Sequence, residues 1–382
     1  MMISEKIRQI KPSATLEINR KAKELKAAGV DVINLSVGEP DFDTPDPVKE
    51  SAVQAIRDGF TKYTEANGTP ELKKAISEKL EKENGLVYSP EQVVVSNGAK
   101  HSLYNVFLAI IEPGDEVIIP APYWVSYPEM VRLAGGVPVF CRWDENFKMD
   151  LGHLKSLINK KTKAMVLNSP SNPTGVVYDK KQICAVAEIL LKNNILCISD
   201  EVYEKIIYEG MEHTSIASHS PEMKKLTVVV NAVSKTFAMT GWRIGYIAAE
   251  KEIAAAVGKV QGQTTSAPCS ISQKAAYSAI KGGEKLYSGM IEEFRKRRNY
   301  LVENLPAELH YPVPMGAFYL FFNYRDMDSV ALCERLLEEK FLAAVPGADF
   351  GADKFTRISY ATSMKNLEIT VQRLKEFTSE NK

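Results

Sequence analysis

Cysteine is scarce and scattered: Cys141, Cys184, Cys197, Cys269 and Cys333 are the five in 382 residues, with no CxxC spacing. An odd, widely separated set argues against a disulfide framework and against a zinc site. Cys184 and Cys197 lie in apolar stretches and read as buried small hydrophobes. The five histidines, His101, His153, His213, His219 and His310, form no HxxxH or HExxH group. No metal-ligand set is therefore expected, and all five histidines are assigned to exposed helices and loops. Excess charge is absent too, with 48 Lys+Arg against 48 Asp+Glu, so there is no electrostatic footprint for nucleic acid or an anionic membrane surface. No apolar run approaches the roughly 20 residues that span a bilayer. The opening Met-Met-Ile-Ser-Glu-Lys-Ile-Arg lacks an apolar signal core, so a cytoplasmic location is expected. Neither GxGxxG nor GxxxxGK(S/T) occurs, which disfavours a nucleotide-binding dehydrogenase.

What is present is length enough for two or three domains at roughly 150 residues each. From about residue 70 strand-like and helix-like segments alternate. Residues 92–95, 116–119, 137–141, 164–167, 195–199 and 227–230 read as strands. Segments 99–111, 127–134 and 179–193 read as helices, the last with Ile183, Val186, Ala187 and Leu190 at helical spacing. Strands joined by crossover helices predict an α/β architecture with a mostly parallel central sheet covered on both faces. Chemistry then belongs at the carboxyl ends of the strands. Beyond it, 285–305 reads as one long charged helix, and 316–322, 329–340 and 357–360 alternate as in a smaller α+β domain. The helix 16–28 with the strand 31–35 can fold back onto that domain, giving a large domain over 42–285 and a small one from 1–41 and 286–382.

Three predicted strand ends each deliver a polar signature. They are Asn168-Ser-Pro-Ser-Asn-Pro-Thr-Gly175, Asp200-Glu-Val-Tyr203, and the segment around Ser234-Lys235 with Arg243 eight residues beyond the lysine. A lysine amine can condense with a carbonyl cofactor while an arginine grips that cofactor's phosphate; taken alone, the pair equally fits a surface lysine and a capping arginine. Asp200 can keep a pyridine nitrogen protonated by opposite charge, and Tyr203 and Asn172 can hydrogen-bond a ring oxygen. Burial and nearby positive charge would bring the pKa of Lys235 down towards neutrality. Ser96-Asn-Gly-Ala-Lys100 falls between strand and helix, so the amides of Gly98, Ala99 and Lys100 can face a phosphate, with Arg243 and Ser234 completing the cradle. An Asn-Gly pair also marks an ordinary tight turn. Trp124 can stack on an aromatic ring, although a lone tryptophan reads first as core.

Together these segments resemble the class I/II pyridoxal-phosphate aminotransferases of fold type I, and within them the bacterial-type aspartate aminotransferase branch. The resemblance spans nearly the whole chain. It rests on Lys11-Pro-Ser-Ala-Thr15, Gly38-Glu-Pro-Asp-Phe-Asp-Thr-Pro45, Tyr63 with Gly68 and Glu71-Leu72, Ser169-Pro-Ser-Asn-Pro-Thr-Gly175, Ser199-Asp-Glu-Val-Tyr203, Ser234-Lys235, Met239-Thr-Gly-Trp-Arg-Ile-Gly245 and Arg357-Ile-Ser-Tyr-Ala-Thr362. It implies pyridoxal 5'-phosphate as cofactor and transamination from L-aspartate to 2-oxoglutarate by a ping-pong mechanism. Prephenate or aromatic partners, or carbon–sulfur lysis on the same fold, are the alternatives.

Carried over residue by residue, the resemblance makes Lys235 the cofactor-bonding lysine and catalytic base. Asp200 becomes the partner of the pyridine nitrogen, with Tyr203 and Asn172 the partners of the ring oxygen. Trp124 would stack on the ring, and Arg243 would grip the phosphate. Arg357 would hold the substrate α-carboxylate bidentately, assisted by Asn172 and the backbone at Gly38. Tyr63 resembles a tyrosine that reaches the phosphate across a subunit interface, so a homodimer with shared sites is implied. Lys100 with the hydroxyls of Ser13 and Thr15 would read a distal carboxylate; their bland alternatives are a solvated helix residue and a helix N-cap. One departure stands out: Ala232 occupies a position where many relatives carry a phosphate-binding serine.

Overall fold

The computed structural model describes residues 2–8, 10 and 14–381, without the side chains of residues 5, 6, 14–17 and 19. In chain order its strands are β1 (Ile33–Asn34), β2 (Val93–Ser96), β3 (Glu116–Pro120), β4 (Val137–Cys141), β5 (Thr162–Asn168), β6 (Leu196–Asp200) and β7 (Thr227–Ala232). They continue with β8 (Gly245–Ala248), β9 (Leu309–His310), β10 (Tyr319–Tyr324), β11 (Leu342–Ala343), β12 (Val345–Pro346) and β13 (Phe355–Ser359). Seven of them form one sheet in the order β2-β8-β7-β6-β5-β3-β4. Every neighbouring pair is parallel except those made by β8, which runs against β2 and β7.

The sequence explains this sheet through its buried strands. All six positions of β7 are buried. Along it Val228 and Val230 pack on one face with Ile198, Ile247 and Phe107, while Val229 packs on the other with Tyr246, Leu72 and Ile76. That is the period-2 alternation of a strand covered by helices on both sides. Each such side chain contributes about 1.5–3 kcal/mol on burial. The helix Lys180–Asn193 starts at a capping box, in which the Asp179 carboxylate accepts from the Gln182 amide, and stops at left-handed Asn194.

A second, antiparallel sheet has the order β12-β13-β10-β9, and β1 pairs in parallel with β11. The short segment near residue 33 is therefore stitched to one more than three hundred residues later.

Two expectations need correction. The stretch Gly-Tyr-Ile-Ala at Gly245–Ala248 was not among the predicted strands; four residues show no measurable period, and only pairing on both sides makes them β8. The predicted helix 285–305 begins later, at Ser288, because non-helical Tyr287 separates a 3-10 turn at Gly283–Leu286 from the helix Ser288–Asn304. Among the described residues no helix is long and apolar enough to cross a membrane.

Candidate active site

Strands β5, β6 and β7 are adjacent, and their carboxyl ends align: Asn168 pairs with Asp200, and Asp200 with Val230. Past those ends the chain delivers Asn172, Tyr203 and Lys235 to one cavity of about 330 Å³. Among its described lining residues the only carboxylate is Asp200, against four cations, Lys100, Lys235, Arg243 and Arg357. A cleft of that balance attracts anionic ligands.

Lys235 sits in the short helix Val233–Thr236 that closes β7, and its Nζ donates to the Gly38 carbonyl at 2.6 Å. Burial brings its pKa down to about 8, with Glu39 opposing and Arg243 and Arg357 assisting. Low dielectric penalises the ammonium, so a free amine becomes accessible near neutral pH. Asp200 is 4% exposed. Burial raises its pKa to about 6, and a 2.6 Å hydrogen bond from the Tyr127 hydroxyl opposes that rise. A buried carboxylate at a cavity wall is held ready for a cationic partner.

Arg357, on β13 of the smaller sheet, is 3% exposed and reaches across to the same cavity. Its Nη1 donates to Asn172 Oδ1 at 3.0 Å and its Nη2 to the Ser36 carbonyl at 2.6 Å, while Nε is buried without a partner. No carboxylate pairs with it among the described residues. The ring of Tyr319 lies 4.6 Å under the guanidinium, and the Tyr319 hydroxyl is 2.8 Å from that of Tyr203. Gly38 fits here because a Cβ would stand 2.7 Å from the Tyr319 oxygen. The contact seen at Gly38 is its carbonyl's, to Lys235, rather than an amide offered to a carboxylate.

The proposed phosphate end is built on the helix Ala99–Ile110, whose N-cap Gly98 at φ +88° supplies no side-chain cap. Of the three amides expected to face a phosphate, that of Gly98 is taken by the Ser96 carbonyl at 2.7 Å. Those of Ala99 and Lys100 are first-turn amides without an intrahelical acceptor. Arg243 holds left-handed backbone at φ +56°, a conformation costing a non-glycine residue about 1 kcal/mol or more. Its Nη1 donates to the Thr240 carbonyl at 2.8 Å, and a Cβ on Gly98 would come 2.5 Å from its Nη2. Gly245 is equally constrained, since a Cβ there would meet the Ala99 amide nitrogen at 2.3 Å. Ser234 is buried and lines the cavity beside the methyl of Ala232.

The description "aminotransferase class I and II" matches residues 30–374. The chain belongs to that family. It is 46% identical over 388 residues to the aspartate aminotransferase of Geobacillus stearothermophilus, covering 99% of both chains. It is 48% identical to the bifunctional aspartate aminotransferase and glutamate/aspartate-prephenate aminotransferase of Petunia hybrida, covering 98% of this chain and 82% of that one. Among solved structures it resembles the aspartate aminotransferase from Thermus thermophilus with maleate, with a TM-score of 0.94, 44% identity, and 98% and 99% coverage. The α/β fold with a mostly parallel seven-stranded sheet is that of these fold type I enzymes.

In this aminotransferase the remaining predicted positions divide. Trp124 lines the cavity, with the Lys100 ammonium 4.9 Å from its ring centre. Partial burial, then the like charge of Arg243, lowers the Lys100 pKa. Tyr63 lies outside the cavity and is 98% exposed. Ser13 lies outside the described residues, as does the side chain of Thr15. Sequence reasoning did not single out Tyr127, Tyr319 or Asn168, whose Nδ2 donates to the Asp200 carbonyl. No sequence signal marks these roles, because the hydrogen bonds that join them to Asp200 and Tyr203 span 32 to 116 positions.

The histidine assignment is also corrected: of the five, only His310 is exposed. Cys184 is half-buried rather than buried, unlike Cys197. The fold even assembles Glu201, Glu204 and His213 with their ligand atoms within 4.8 Å. Protein groups already serve these carboxylates. Glu201 accepts from Ser199 and Ser215 and faces His213, while Glu204 meets Lys79, Asn84 and Asn231.

Proposed function

We propose that this enzyme binds pyridoxal 5'-phosphate and moves the amino group of L-aspartate to 2-oxoglutarate, giving oxaloacetate and L-glutamate. The observation that carries this reading is Arg357: a buried guanidinium with an unpaired Nε and no carboxylate partner among the described residues, in one cavity with a depressed lysine and a buried aspartate. Such an arginine calls for a carboxylate from outside the chain. The donor set also fits the cofactor, with two first-turn amides and Arg243 for its phosphate, Asp200 for its ring nitrogen, and Asn172 and Tyr203 for its ring oxygen.

When bound, pyridoxal phosphate contributes an aldehyde and an electron-accepting ring. The chain's own residues do the rest. Arg357 and Asn172 orient the substrate carboxylate. Asp200 would set a negative charge at the ring-nitrogen end, and Trp124 would cover a ring face. The Lys235 amine would take the proton from the substrate α-carbon and pass it to the cofactor side, running the same transfer in reverse in the second half-reaction. Amino acid enters and 2-oxo acid leaves before 2-oxoglutarate arrives, so the kinetics are ping-pong.

Lys100, a second cation at the cavity, favours a dicarboxylate, with Ser13 and Thr15 as candidate hydroxyls. The Thermus thermophilus aspartate aminotransferase structure is one with maleate, itself a dicarboxylate. The Petunia relative's name keeps prephenate as the second reading. The domain division 42–285 against 1–41 with 286–382 belongs to the same proposal, supported by the β1–β11 pairing of the two chain ends. A cytoplasmic homodimer completes it. Val53, Ile56 and Tyr277 are exposed on the mutually packed helices Asp46–Arg57 and Ser270–Gly282, and Tyr63 is exposed as well. That apolar face suits a second copy, which would bring Tyr63 to its neighbour's site.

A half-reaction titration tests this reading: the absorption of the loaded enzyme is followed against aspartate, alanine, phenylalanine and cysteine. Aspartate should drive the conversion at the lowest concentration, and only with 2-oxoglutarate should the original band return. Lys100→Ala should weaken aspartate about tenfold and leave alanine nearly unchanged; equal losses remove Lys100 from recognition. Pyruvate release from cysteine without an acceptor acid would favour the lyase alternative. Arg357→Lys should raise KM for every amino donor by about tenfold or more, because an ammonium cannot form the paired bonds of a guanidinium. An unchanged KM would place the carboxylate elsewhere.

A further inference from the structure

We infer that Tyr127 is a positioning residue that orients both the ring-nitrogen carboxylate and the stacking tryptophan, so that two strand ends present one preformed face to the cofactor. This rests on the pyridoxal-phosphate reading above.

Tyr127 lies in the first turn of the helix Ser126–Leu133, which follows β3, and it is 1% exposed. Its hydroxyl donates to Asp200 Oδ2 at 2.6 Å, across to the end of β6. The other carboxylate oxygen has only a long 3.3 Å contact from the Val202 amide. The phenol thus makes the shorter of the two described hydrogen bonds to the carboxylate, and it leaves Oδ1 weakly held. The same ring meets Trp124 edge-on, centroids 5.3 Å apart at 82°, a favoured aromatic geometry. One side chain therefore ties together two groups three residues and 73 residues away in sequence.

The hydroxyl suits the task electrically. Burial, and then the negative charge of Asp200, push the Tyr127 phenol well above its ordinary pKa, so it stays a donor at every working pH. A donor at this distance stabilises ionised Asp200 against burial. Other titratable groups act on the same carboxylate: Glu201 raises its pKa and Lys235 lowers it, and the Tyr203 phenol couples to it as well. Of these, only Tyr127 makes a described hydrogen bond to the Asp200 side chain.

The test is equilibrium titration of the full-length apoprotein with pyridoxal 5'-phosphate from pH 5.5 to 8.5, for wild type, Tyr127→Phe, Asp200→Asn and the double variant. Phenylalanine keeps the ring against Trp124 and removes only the hydroxyl. Tyr127→Phe should weaken binding about tenfold at pH 7 and move the acid-side loss of affinity upward by about one pH unit, the scale of a hydrogen bond to a charged group. In the Asp200→Asn background the same change should add almost nothing, because the group it serves has lost its charge. An unaltered affinity and pH profile in Tyr127→Phe overturns the role, as do equal losses in both backgrounds, which would mark a packing defect. A wild-type chain that takes up no pyridoxal phosphate sinks the cofactor reading itself. Uptake by wild type with an unaffected Tyr127→Phe sinks only the part given to Tyr127.

Discussion

Lys235→Ala is expected to lower kcat by about 10⁴-fold or more, because in the proposed mechanism one side chain serves as both nucleophile and proton carrier. Lys235→Arg should be nearly as inactive. Arginine restores the charge but cannot supply a free amine, so the pair of variants separates charge from basicity. The wild-type pH dependence follows from the same amine. With its pKa at about 8, roughly one Lys235 in ten is uncharged at pH 7, against about three in ten thousand for an ordinary lysine. The rate at which the apoprotein takes up pyridoxal phosphate should therefore climb with pH and level off above about 8. Turnover near the wild-type value in Lys235→Ala, or an uptake rate flat across that range, would remove the lysine from the chemistry.

Asp200→Asn should cost about 10²–10³-fold in kcat, the scale found when a preorganised charged or dipolar group is deleted. Asparagine is close to isosteric and can still accept from Tyr127, so the loss isolates the charge. Stability should move the other way. The folded pKa of Asp200, about 6, lies above its ordinary value of 3.8. The folded apoprotein therefore holds the proton more tightly than the unfolded chain, and burial of the ionised form costs stability that is lost progressively as pH rises from about 4 to about 6 and is fully lost above that. That penalty is on the order of 2–3 kcal/mol at neutral pH, and it vanishes in the amide. The apoprotein of Asp200→Asn should melt no lower than wild type at pH 7.5 while its turnover collapses. A variant that loses stability and activity together would mean that Asp200 serves the fold rather than the reaction.

How much of this was legible in the chain depended on the range over which each signal acts. Strands β3 to β7 were found within one or two residues, because strands joined by crossover helices read as compact apolar runs between turns. The helix Ser329–Lys340 was found with its limits, Asp328 capping its first amides. Lys235, Asp200 and Asn172 were legible for a different reason. Each follows its strand closely, so the α/β architecture itself delivers it to the carboxyl edge of the sheet. β8 was not legible, being strand only through its two neighbours. Nor was the break at Tyr287, where a single non-helical residue interrupts a helical composition.

The amino-acid sequence by itself thus determined the parallel sheet, the order of the polar strand ends, and the amine, carboxylate and guanidinium chemistry. All of these depend on local periodicity and residue type. Only the tertiary structure decided that Arg357 meets Asn172 and the Ser36 carbonyl and no acidic partner among the described residues, that the Gly98 amide goes to Ser96, and that Tyr127 and Tyr319 meet Asp200 and Tyr203. It also decided the strengths of the acids and bases. A pKa near 8 for a lysine or near 6 for an aspartate is a property of burial and neighbouring charge, and those exist only once distant segments have packed together.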